Sequence, residues 1–235
     1  MIHLAVEGIV GSEIPLGIVA VGTGNDIARE FMLPAHDIES SVQQIMTAFM
    51  AKKYYLSDVI KIESESGTNY ALAIASLGID ADVNQRANKM SWPRGNTRYF
   101  RAILPAIREY KPYGVNIRAN GRSLAGSVTL LSIANTRYFG GGINVAPNAS
   151  PNDGLLDVVL VGGLKLGTFG RLLPKLIMAR HIDDNRVHYF QTNKIFVAPD
   201  LSKGIQPPSL MADGEFICNL PATISVLPGA LKLAL

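Results

Sequence analysis

Residues 16–31, LGIVAVGTGNDIAREF, constrain the fold of this chain more than any other stretch. Leu16 to Val21 are six apolar or glycine residues, too few for a helix and without alternation, so they predict a strand covered on both faces, as in a parallel sheet. The run breaks at Gly22-Thr23-Gly24-Asn25-Asp26 and restarts as a helix. Gly22 and Gly24 permit positive φ and close backbone approach, Asn25 or Asp26 can cap the helix, and a helix N-terminus offers free N–H groups to an anion. Thr23, Gly24 and Asn25 are thus candidate donors to nucleotide phosphates. Asp26 either orients a metal-bound water or caps the helix. A glycine-rich turn of this kind also arises for steric reasons alone, and the stretch by itself leaves both readings open.

Composition sets broad bounds. The chain has 235 residues, enough for one large domain or two modest ones, and its 48% hydrophobic and 17% charged residues are those of an ordinary globular protein. A net charge of +3 suits an anionic nucleotide or an anionic membrane surface without demanding either. The single cysteine, Cys218, excludes an internal disulfide and fits a reducing cytoplasm, where it reads as a small buried hydrophobe. No cleavable signal and no apolar run of about 20 residues is present, so any membrane contact is expected to be peripheral.

Beyond Pro34, Asp37 is placed to cap a helix whose apolar residues Ile38, Val42, Ile45, Met46, Phe49 and Met50 recur at helical spacing, which predicts a core-facing stripe. From Tyr54 the pattern changes. YYLSDVIKIE, TNYALAIASLG, GVNIRANG and SVTLLSIANT read as strands separated by polar or glycine turns, marking a domain boundary near residue 53. NTRYFRAILPAIREY reads as a helix kinked or broken at Pro105. Arg94, Arg98, Arg101, Arg108 and Lys111 gather around it, either as a solvated basic face or as a surface for anionic lipid headgroups. The second half continues with a strand LLDVVLV, a helix from about Lys165 to Met178, strands around VHYFQTNKIFVAP and a last strand ATISVL.

Two loops carry acidic chemistry. Asp213 and Glu215 flank Gly214, where burial and mutual repulsion can raise one carboxyl towards a useful pKa. The same Asp-Gly pair is also an ordinary hairpin signal. In SPNDGLLD, the Asp153 carboxylate and the carbonyls of Ser150 and Leu155 can surround a hard cation with oxygens, or the segment is simply a turn. Asp157 lies in the following strand, placed to support that loop. Gly140, Gly141 and Gly142 permit close approach to a neighbouring strand or to a ligand. His3, His36, His181 and His188 show no metal-ligand spacing, and no nucleophile elbow appears.

Taken in order, GTGNDIAREF, GGGINVAPNASPNDGLLDVVLV and MADGEF resemble the signatures of the diacylglycerol kinase catalytic family, the bacterial lipid kinases related to sphingosine kinase. The tail ISVLPGALKLAL is similar to that family's closing strand. The resemblance implies a partial α/β nucleotide-binding domain, residues 1–52 joined by 228–235, and a larger β-sandwich-like C-terminal domain, residues 53–227, with the active cleft between them.

The resemblance also implies ATP and Mg²⁺ as cofactors, with Gly22 to Asp26 at the nucleotide. Asp213 and Glu215 would be the catalytic element, and Ser150, Asp153 and Leu155 the holders of a structural Mg²⁺. Phosphoryl transfer asks for these parts: positioned phosphates, a divalent cation and a carboxylate to take the acceptor's proton. The partner would be a membrane lipid such as diacylglycerol, met peripherally at the inner membrane surface, with a homodimer left open and no nucleic acid. Family members begin with a segment ending in GGDGT, and Met1 stands at or beside that motif's last position, a departure that a late start site or a truncation would explain. If the chain is complete, weak or no turnover is the expectation. The alternatives are a lipid- or nucleotide-binding module that has lost turnover and a kinase of a soluble acceptor, similar to NAD kinases.

Overall fold

The computed structural model describes residues 2–90, 101, 105–106 and 108–235. A helix α1 (Ile2–Ile9) leads to a short strand β1 (Leu16–Gly17), a five-residue helix α2 (Asp26–Glu30) and a longer helix α3 (Ile38–Ala51). Strands then take over, with β2 (Tyr55–Ser64), β3 (Gly67–Ala71) and β4 (Ile74–Gly78). After helix α4 (Ile79–Lys89) come β5 (Tyr113–Ala119), β6 (Arg122–Ala134), a small ribbon of β7 (Tyr138–Phe139) and β8 (Ile143–Asn144), and β9 (Leu156–Gly162). Helix α5 (Leu166–Ile177) precedes β10 (Val187–Thr192), β11 (Lys194–Pro199), β12 (Leu210–Ala212), β13 (Glu215–Cys218) and β14 (Ala222–Ala234). The kinked helix expected around Pro105, with Arg94 and Arg98, falls largely outside the described residues.

The main sheet runs β13-β12-β4-β6-β5-β11-β14-β2-β3, with β9 and β10 added beside β6 and β1 beside β14. Apart from the parallel β1–β14 contact, every pairing is antiparallel. β6 is the junction: its first half pairs with β5, and its second half lies between β4 and β9. This β-rich, sandwich-like body closes over a core in which Ile60, Ile62, Leu77, Leu131, Ile133 and Leu156 have no exposed surface. Burying each such side chain stabilises the fold by roughly 2 kcal/mol. A second cluster under α4 and α5 and a third between β14, β2 and the N-terminal helices extend it.

Two sequence expectations are corrected here. The apolar run Leu16–Val21 makes only the two-residue β1, paired on one side, with a single further bridge from Ala20 to Ala35. Ile18 and Ala20 turn inward while Val19 and Val21 are exposed, so one face is covered rather than two. The stripe on α3 is not core: Ile38, Val42, Met46, Phe49 and Met50 all face solvent. The helix instead buries its small residues Ser41 and Ala48 and sets Ile45 against Gly17, where an added Cβ would lie 2.9 Å from the Ile45 side chain. Close approach over a glycine, and not the apolar stripe, seats this helix. Asp37 does cap it, accepting the Ser40 N–H at 3.0 Å.

Candidate active site

Asp213 and Gly214 form the two-residue connection between β12 and β13, with φ of 48° and 85°. Two successive positive φ values make a type I′ hairpin turn, so the ordinary turn reading holds. The carboxylate does something further. The sequence TNYALAIASLG reads as one strand, but it breaks at Leu72–Ala73 into β3 and β4, and the break turns three successive backbone N–H groups onto Asp213. Leu72 donates to Oδ2 at 2.7 Å, and Ala73 and Ile74 donate to Oδ1 at 2.9 and 3.2 Å. Burial pushes the Asp213 carboxyl above its usual range, while these amides and His3 of α1 pull it back. Glu215 is exposed on the other side of the turn.

In the first motif, positive φ falls on Asn25, at 49°, and not on Gly22 or Gly24. The capping expectation also changes, because Asn25 makes no side-chain cap bond. Asp26 opens α2 and turns its carboxylate elsewhere, accepting the Gly141 N–H at 2.8 Å and Arg29 at 2.8 Å. Burial raises the Asp26 carboxyl and those two partners oppose it. The glycine trio thus serves close backbone approach: Gly142 has φ 110°, and a Cβ there would sit 3.2 Å from the Arg29 guanidinium. Gly22 and Thr23 are exposed and Gly24 lies against Gly141, leaving the outer side of the turn open to a ligand. With only five residues, α2 supplies little dipole, so any anion here would be held by individual groups.

The loop after β6 joins the two acidic sites. At its start, the backbone N–H groups of Asn135 and Thr136 donate to the Ala73 carbonyl at 2.8 and 3.2 Å, directly behind the amides that hold Asp213. Arg137 pairs with the buried Glu30 of α2 at 3.0 Å. Further along, Gly141 reaches Asp26. All three sequence motifs therefore meet through residues 135–142.

Asp58, which the sequence reading passed over, anchors the SPNDGLLD loop of the second motif to the tail. It is 2% exposed in β2, and its carboxylate accepts the N–H groups of Gly154 at 2.7 Å and Gly229 at 2.8 Å. An acid inside the apolar strand LSDVIKI was the available signal. Glu30 and Asn135 gave no comparable one.

In the SPNDGLLD loop, Asp153 Oδ1 accepts the Leu155 N–H at 3.0 Å and the Ser150 hydroxyl donates to Asn152 at 2.9 Å. A carboxylate with nearby carbonyls suits a hard cation in kind. Among the described residues, no group of three or more His, Cys, Asp or Glu is placed to hold a metal ion. Asp157 does not turn to this loop; it accepts the Tyr189 hydroxyl from β10. Beside the loop lies an open cleft of about 450 Å³, lined among others by Glu30, Tyr55, Arg137 and Ser150.

Comparison with known proteins gives the following matches. Residues 1–54 match the sequence model described as "Diacylglycerol kinase catalytic domain", and residues 73–235 match "YegS C-terminal NAD kinase beta sandwich-like domain". A diacylglycerol kinase of Mycobacterium tuberculosis is 33% identical over 231 residues, covering 97% of this chain and 72% of its own length. A diacylglycerol kinase of Bacillus subtilis is 27% identical over 207 residues, covering 88% of this chain and 64% of its own. A solved structure of a diacylglycerol kinase from Bacillus anthracis superposes with a TM-score of 0.72 at 21% identity, covering 99% of this chain and 73% of that one, which establishes the shared fold.

Proposed function

Because the chain belongs to the diacylglycerol kinase family of lipid kinases, we propose that it moves the γ-phosphoryl group of ATP to the hydroxyl of a membrane lipid, diacylglycerol giving phosphatidic acid. The observation that carries this reading is the 135–142 loop, which ties the Gly22–Asp26 turn to the amides around Asp213. In the reaction, the lipid oxygen bonds to the γ-phosphorus, the bond to the β–γ bridging oxygen breaks, and ADP leaves with those electrons. The hydroxyl proton goes to a carboxylate. Asp213 takes that role because burial raises its affinity for a proton and the three amides fix its direction. Glu215 stands exposed two positions further along the same hairpin.

On the nucleotide side, Thr23, Gly24 and Asn25 supply donors to the phosphates, and Asp26 holds the turn against Gly141. Ser150, Asp153 and Leu155 offer oxygens to a structural Mg²⁺. A divalent cation bound with ATP supplies neutralisation of phosphate charge.

The test is transfer of label from [γ-³²P]ATP to diacylglycerol in mixed micelles with Mg²⁺, by this chain and by a version extended upstream of Met1. Labelled phosphatidic acid from either supports the proposal. No labelled lipid from either, with intact folding, overturns it in favour of a binding module without turnover. Label on a soluble acceptor alone would instead favour small-molecule kinase chemistry.

A further inference from the structure

Asn135 is fully buried, and its side-chain amide gives one hydrogen to the Leu72 carbonyl at 2.8 Å and the other to the Asp58 carbonyl at 2.9 Å. Facing two carbonyls, this end of the side chain must be the nitrogen. Oδ1 is buried with no hydrogen-bond partner among the described residues, so the position uses the donors and leaves the acceptor idle. The backbone N–H of Asn135 meets the Ala73 carbonyl at 2.8 Å.

In a trans peptide the C=O and N–H point in opposite directions. The Leu72–Ala73 peptide, gripped at its oxygen by the Asn135 side chain, therefore presents the Ala73 N–H to Asp213 Oδ1 at 2.9 Å. The Ala73–Ile74 peptide, gripped by the Asn135 backbone, presents the Ile74 N–H to the same oxygen at 3.2 Å. Asn135 stands behind two peptide groups and Asp213 in front of them.

From this geometry we propose that Asn135 is a positioning residue for Asp213, fixing the two peptide groups whose N–H donors aim its carboxylate and stabilise its charged form. The catalytic meaning of the device rests on the kinase reading above; the device itself does not. Hydrogen bonds in a chain polarise one another, so losing the side-chain donors weakens the amides' hold on the carboxylate. Among the described residues, His3 on α1 is the charged group that acts on the Asp213 carboxyl, with Glu215 two positions along on the same hairpin, while the Asn135 side chain bonds to the Leu72 and Asp58 carbonyls.

Two measurements test this. In the unaltered protein, ¹³C-carboxyl NMR gives the Asp213 titration midpoint, and the N–H signals of Ala73 and Ile74 and of the Asn135 side chain are expected to shift with that same midpoint. In Asn135→Ser the midpoint is expected to rise by about one pH unit, because a less stabilised carboxylate holds its proton more tightly. The acidic limb of kcat for lipid phosphorylation should move upward with it. A purely structural asparagine would lower the melting temperature and leave the midpoint in place. The proposal is overturned if the Asn135 signals ignore the Asp213 titration, or if folded Asn135→Ser leaves the midpoint unchanged. Should Asn135→Ser fail to fold, the titration of the unaltered protein decides alone. Absence of lipid phosphorylation by the unaltered protein would count against the kinase reading, while the NMR titration would still decide the role of Asn135.

Discussion

The β-rich body and the helical layer before it treat apolar side chains in opposite ways. In the body, alternating residues such as Leu131, Ile133 and Leu77 are sealed between strands that pair on both sides. In the layer, α3 turns Ile38, Val42, Met46 and Met50 to solvent and rests on Ser41, Ala48 and Ile45. Periodicity thus reports that a helix is amphipathic, but the partner surface decides which side is inward. Between the two regions sits Asp213, held by body strands and close to His3 of α1.

The largest effect is expected at that seam. Asp213→Asn keeps the turn and should lower lipid phosphorylation by about a thousandfold, measured with labelled ATP beside an unchanged circular dichroism spectrum. A fall of less than tenfold would assign proton removal to Glu215 instead. Within the body, Leu131→Ala should cost about 3 kcal/mol in urea unfolding, since Leu131 is fully buried in the main core cluster and its truncation leaves a cavity.

Third in size is Asp80, at the head of α4, where burial pushes the carboxyl up to about 6 and Oδ1 has no partner among the described residues. A folded pKa above the unfolded value of about 3.9 favours folding below that value and is lost as pH rises through the folded one. Asp80→Asn should therefore stabilise the protein by about 2 kcal/mol at pH 8 and leave it nearly unchanged near pH 4. An equal gain at both pH values would show that the charge is not the cause. The smallest effect belongs to the layer: Met46→Gln should change stability by less than about 0.5 kcal/mol, and a loss near that of Leu131→Ala would erase the contrast between the regions.

What was legible follows from the range of each interaction. Strands β2, β5, β6, β9 and β11 announce themselves through local apolar runs and turn residues, and the Asp-Gly hairpin through its dipeptide. The acidic loops and the phosphate-type turn were visible as motifs. Their coupling was not, because the Leu72–Ile74 amides lie about 140 positions from Asp213 and Asn135 carries no local pattern. The short α2 and the redirected Asp26 escaped for a related reason: Gly141, distant in sequence, takes the carboxylate that would otherwise have capped the helix.

β14 serves both regions, running antiparallel to β2 and β11 and, near its end, parallel to β1 through Leu16 opposite Leu233. Because Leu16 and Leu233 are so far apart along the chain, a ribosome finishes β1 long before it makes the strand that β1 pairs with. Until β14 has been made, β1 lacks the strand it pairs with here, and it waits in an unfinished state that chaperones can recognise.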